Sequence, residues 1–134
     1  MCILRVASKN RSFKPFSTRT KVPVYSVRDK GEAISAGAKT RCKIYSISFD
    51  VSKKEWGDLP GQIKDAVRFL TRYGSKIRKL TKENWVTDAY LDFPVYSRAS
   101  KGIVAQSDTF PLDLVTLCSK AGVAICISMY HDGV

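Results

Sequence analysis

The chain has 134 residues, 44% of them hydrophobic and 26% charged, with a formal net charge of +11. That length fits one domain, burying roughly two thirds of the surface its unfolded chain exposes, and the composition excludes disordered and fibrous classes. No apolar run reaches the ~18 residues of a membrane span, so a single domain over 1–134 that stays out of the membrane is expected.

Cys2 to Ala7, CILRVA, is a compact apolar run suited to a first strand. Residues 8–21 follow the strand without either regular period and hold Pro15, so a mobile basic loop is expected there. Val22 to Val27 suits an edge strand, because Pro23 lacks a ladder donor. The next segment, with Gly31 and Gly37, reads as turns with at most one short helical piece. Cys42 to Val51 alternates cleanly, with Tyr45, Ile47, Phe49 and Val51 on one face and Ser46, Ser48 and Asp50 on the other.

Asp58 is a good N-cap and Pro60 sits in the first turn, where its missing N–H costs nothing. Ile63, Ala66, Val67 and Leu70 then line one side of a helix expected to run to about Tyr73 and stop at Gly74. Ile77 and Leu80 suit a further short helical turn. Trp85 to Phe93 alternates again, with Pro94 as its expected end. A short strand is expected over Gly102 to Ala105. A second helix starts near Thr109 or Phe110 and ends at Gly122, before a last strand over Val123 to Tyr130. This order predicts an α+β fold, with an antiparallel or mixed sheet of about five strands and two helices packed on one face.

The charge is uneven. Residues 1–43 carry 11 Lys and Arg against Asp29 and Glu32, a net of +9, whereas residues 83–134 carry three cations against six acids, a net of −3. Cations recur four apart on the first helix at Lys64, Arg68 and Arg72, and Lys76, Arg78, Lys79 and Lys82 follow. Such a run is most often a solvated helix back. As a contact surface it would join Arg11, Lys14, Arg19, Lys21 and Arg28 from the N-terminal segment, with Phe13, Phe16 or Tyr25 as aromatic anchors.

Chemistry of other kinds has little to build on. The four cysteines, Cys2, Cys42, Cys118 and Cys126, show no zinc-ligand spacing, and His131 is the only histidine. Free thiols in apolar surroundings suit a reducing cytoplasm, where the protein is expected. No phosphate-binding loop, nucleophile elbow or metalloprotease motif occurs. Asp88 and Asp92 share the outward face of a strand about 13 Å apart, too far for a glycosidase pair. No catalytic residue, metal or cofactor is therefore expected, and the chain reads as a non-enzymatic protein.

The stretch ISFDVSKKEW, the helix LPGQIKDAVRFLTRYGSKIRKL, and then AYLDFPV and FPLDLVTLCSKAGVAICISMY resemble a family of small bacterial domains of unknown function grouped with immunity proteins. The likeness covers about residues 42–130. It implies an α+β domain that neutralises or inhibits another protein, as immunity proteins and phage-encoded anti-defence inhibitors do. Immunity proteins against basic nucleases are acidic, whereas this chain is basic, so the implied target is an acidic protein surface. The alternative reading is a nucleic-acid-binding domain that uses the same cations.

Overall fold

The computed structural model describes residues 1–98 and 105–131. Its elements, in chain order, are β1 (Cys2–Ser8), α1 (Lys14–Arg19), β2 (Val24–Arg28), β3 (Tyr45–Ser52), α2 (Leu59–Thr81), β4 (Val86–Tyr96), α3 (Leu112–Ala121) and β5 (Ala124–Tyr130). The strands form one mixed sheet in the order β2-β3-β1-β4-β5. Every neighbouring pair is antiparallel except β4–β5, whose parallel pairing requires the long crossover that contains α3. The α+β class, the mixed five-stranded sheet and the two long helices match the expectation from patterning.

Alternation decides which face is buried. Leu4 lies between Phe49 and Leu91 across three strands, and all three side chains are fully buried. The intervening residues, such as Arg5 between Ser48 and Tyr90, face the other way. The core lies on the Leu4 side, where α2 contributes Ala66, Phe69, Leu70, Ile77 and Leu80 and α3 contributes Leu114, Cys118 and Ala121. Gln62 is buried at the start of α2, and its Nε2 donates to the carbonyls of Glu55 and Pro94 at 3.0 Å each, tying helix to sheet.

Several boundaries differ from those expected. The helix does not stop at Gly74 but runs through it to Thr81. Ile77 and Leu80 continue the buried stripe, and that burial outweighs the ~1 kcal/mol a mid-helix glycine costs. Asp58 caps this helix, accepting from the Gly61 N–H at 2.9 Å, as its position predicts. Strand β4 continues past Pro94 to Tyr96. Pro94 lies beyond Asp92, the last residue paired with β1, so β4 has a neighbour on one side only and tolerates the missing donor. Gly122 ends α3 in the left-handed conformation at φ 72°.

The segment 8–21 is not an irregular loop. Lys14–Arg19 forms α1, with Pro15 in its first turn, and Phe13 is fully buried against Trp85 with ring centroids 5.2 Å apart. Phe16, one turn on, meets Phe49 edge to face at 6.3 Å. Two apolar residues at i and i+3 thus anchor an otherwise polar segment to the core. Residues 31–42 turn, as expected, and without any helical piece they form a short antiparallel arm. It is closed by Gly31 N–H to Cys42 O, Cys42 N–H to Glu32 O and Ile34 N–H to Thr40 O, and it takes up the expected start of the third strand, so β3 begins at Tyr45. The strand expected over Gly102 to Ala105 lies largely outside the described residues. Finally, β5 is an edge strand, leaving Ile127 and Met129 42% and 56% exposed.

Candidate functional site

The expected contact residues do not form one surface. Arg11, Phe16, Arg19 and Lys21 meet the C-terminal half of α2 along a seam that Lys76, Lys79 and Trp85 complete. The seam holds two adjoining depressions, of about 320 and 330 Å³, that share Phe16, Arg19 and Lys79. Helical spacing explains the alignment on α2. Arg68, Arg72, Lys76 and Lys79 recur every three or four residues, giving a stripe about 16 Å long at 1.5 Å per residue.

Electrostatics sort this stripe into two parts. At its N-terminal end Arg68 and Arg72 line a depression of about 640 Å³ that also holds Asp50 and Asp65. Arg68 pairs with Asp65 at 3.4 Å and Lys53 with Asp50 at 3.9 Å, so two of the four cations there are compensated, while Lys54 and Arg72 form no ion pair among the described residues. In the seam, Glu83 is the only lining carboxylate. None of Arg11, Arg19, Lys21, Lys76 and Lys79 forms an ion pair among the described residues. Aromatic rings instead hold the guanidinium groups. Arg11 lies over Trp85 at 4.8 Å, Arg19 over Phe16 at 6.0 Å and Arg72 over Tyr73 at 5.1 Å. Each such contact fixes a charge without neutralising it, at about 0.5–1 kcal/mol for exposed positions.

Four expected residues fall elsewhere. Phe13 is no contact anchor, because its ring is sealed in the core. Lys14 is bound to Glu32 and Asp29, and this tie fastens the arm to α1. The hydrogen bond from Lys14 holds the Glu32 carboxyl below its ordinary range and raises the Lys14 ammonium in return. Lys64 is exposed but lines none of these depressions. Arg28 lies in the cavity on the helix-free face of the sheet. Trp85, read from alternation as a strand residue, is the seam's aromatic floor; its signal was its place directly after a basic helix.

Asp88 is exposed, and Asp92 accepts from the Ser128 hydroxyl at 2.6 Å across the β4–β5 pair. Among the described residues no group of three His, Cys, Asp or Glu side chains is placed to hold a metal ion, and no helix is long and apolar enough to cross a membrane. The four cysteines are free thiols. Burial pushes the Cys118 thiol up to about 11 and the Cys2 thiol higher still. No protein-family model, no curated protein and no solved structure matches the chain.

Proposed function

We propose that the protein is a non-enzymatic binder that inhibits a protein partner by covering an acidic surface with the α1–α2 seam. The observation that carries this reading is the set of Arg11, Arg19, Lys21, Lys76 and Lys79 along one seam, none in an ion pair among the described residues and with Glu83 beside them. Uncompensated charge of one sign steers association and fixes register more than it adds raw affinity. The flanking rings of Phe16 and Trp85 supply apolar area beside it. Exposed Ile127 and Met129 on the edge strand β5 favour a protein over a nucleic-acid partner, since an apolar edge strand is a protein-contact feature. The likeness to immunity-type domains points the same way, and a reducing cytoplasm suits the free thiols.

A second reading rests on the same rings. Cations interleaved with aromatics also suit single-stranded nucleic acid, whose bases stack while its phosphates pair. The deciding experiment pairs capture from source cells with anisotropy titrations of generic DNA and RNA at about 150 mM salt. The inhibitor reading expects an acidic protein retained by the native chain and lost with Arg19→Glu combined with Lys79→Glu. It also expects nucleic acid to bind no tighter than about 10 µM. Tighter nucleic-acid binding that the same double reversal abolishes would replace it with the second reading.

A further inference from the structure

The helix-free face of the sheet carries a second basic site, distinct from the seam. Where β2, β3 and β1 lie side by side the outward residues are mostly short. Ser26 opposes Ser48, Ser48 opposes Arg5, and Arg28 opposes Ser46. Short side chains on adjacent strands leave a depression, and residues of the 31–42 arm wall one side of it. The result is a cavity of about 480 Å³. Small-molecule sites span roughly 300–1,000 Å³, so this one has the size for a nucleotide.

Two independent features give the cavity its chemistry. Arg5, Arg28, Arg41 and Lys43 line it and no carboxylate does. None of these four cations forms an ion pair among the described residues. Gathering four like charges around one cavity is unfavourable until an anion enters it. At its floor, Ser46 and Ser48 are only 4% and 6% exposed. Neither hydroxyl has a hydrogen-bond partner among the described residues, and neither is sealed from the cavity. Open to the cavity and unused within the described residues, both hydroxyls are free to donate to a bound acceptor. Tyr25 and Ile34, 57% and 49% exposed, add a planar and an aliphatic wall.

We propose that this cavity binds a small phosphorylated molecule of nucleoside diphosphate size. Its phosphates lie among Arg5, Arg28, Arg41 and the two hydroxyls, and its planar body lies against Tyr25 and Ile34. Guanidinium groups suit this role because they bind phosphate oxygens in pairs. The site is separate from the seam, so it stands whether or not the seam binds protein.

Calorimetric titration of the full chain with ADP, GDP and inorganic pyrophosphate at about 150 mM salt tests the proposal. A nucleoside diphosphate is expected to bind with a Kd of about 100 µM or tighter, and pyrophosphate at least about tenfold more weakly. Arg28→Gln and Arg41→Gln are each expected to weaken nucleotide binding about tenfold or more. Both residues are exposed and their side chains form no hydrogen bond or ion pair among the described residues, so the variants are expected to fold. Arg19→Glu in the seam leaves this binding unchanged. Amide NMR shifts on titration are expected at Arg5, Ser46 and Ser48. Three results would overturn the assignment: no nucleotide binding at millimolar concentration, pyrophosphate binding as tight as nucleotide binding, or binding lost with Arg19→Glu but kept in Arg28→Gln.

Discussion

Phe13→Ala separates a core residue from a contact residue in the one segment whose composition points to the surface. Phe13 is fully buried and packs on Trp85, whereas Phe16 is half-buried with its ring edge-on to Phe49. Truncating a fully buried phenylalanine costs about 3–5 kcal/mol, the lost transfer energy plus the cavity left behind. Against a domain stability of about 5–15 kcal/mol this is a large fraction. With unfolding entropy near 2.1 cal/mol/K per residue, 134 residues give about 0.28 kcal/mol/K, so a loss of ~4 kcal/mol lowers Tm by about 14 °C. Phe16→Ala removes a partly exposed ring and is expected to cost about 1–2 kcal/mol, or about 4–7 °C. Circular dichroism melts and urea titrations of both variants measure the difference. Equal losses, or a Phe13→Ala loss below about 1 kcal/mol, would refute the placement of this segment on the core.

Gly74→Ala is expected to stabilise the protein by about 1 kcal/mol, raising Tm by about 3–4 °C. The helix passes through Gly74 without a positive φ, and a methyl group there would meet nothing within 4 Å; a lower Tm would contradict a continuous α2. Thiol labelling near pH 8 is expected to modify the half-buried Cys42 and Cys126 first. Cys2 and Cys118, buried and with raised thiol pKa values, should react only on unfolding, and early labelling of Cys118 would count against its place on the buried side of α3. The tie between Lys14 and Glu32 gives a defined pH window. The Glu32 pKa is lowered in the folded protein, so its contribution is complete above the unfolded carboxyl's range and is lost as pH falls through the folded value. The Lys14 pKa is raised, so its contribution is complete below the unfolded value and is lost as pH rises through the folded one. NMR titration of both side chains checks this, and Glu32→Gln should bring the Lys14 pKa down toward ordinary lysine behaviour, with Asp29 keeping part of the rise.

How much of this fold could be read along the chain depended on whether the deciding interaction was local. β3 and β4 were readable because one buried face imposes a two-residue period, β1 because a compact apolar run suits a strand, and Gly122 because a left-handed helix end has a local chemical requirement. Gly74 misled for the same reason. It carries the local mark of a helix end, and only the long-range burial of Ile77 and Leu80 overrides it. Helix α1 was hidden because its segment is polar throughout except for Phe13 and Phe16. Their burial depends on β3 and on Trp85, more than thirty and seventy residues away along the chain. The arm over 31–42 offered only turn signals. Its shape comes from backbone bonds between Gly31 and Cys42 and from the Lys14 tie, neither of which has a periodic signature.

The same distinction explains the two basic sites. The seam was half visible, because helical spacing aligns Arg68, Arg72, Lys76 and Lys79 by itself, while Asp50, one of the two carboxylates beside the other end, comes from β3. The cavity was not visible at all. Arg5, Arg28, Arg41 and Lys43 lie on three different elements, and they meet only because β1 pairs with β3 between β2 and β4. That order also separates the charges, leaving Asp88 and Asp92 on β4, beyond β1 from the cavity. Nine of the 23 lysines and arginines line these two places, five in the seam and four in the cavity. The seam lies on the helix side of the sheet and the cavity on the helix-free side, so substitutions in one are expected to leave the other unchanged.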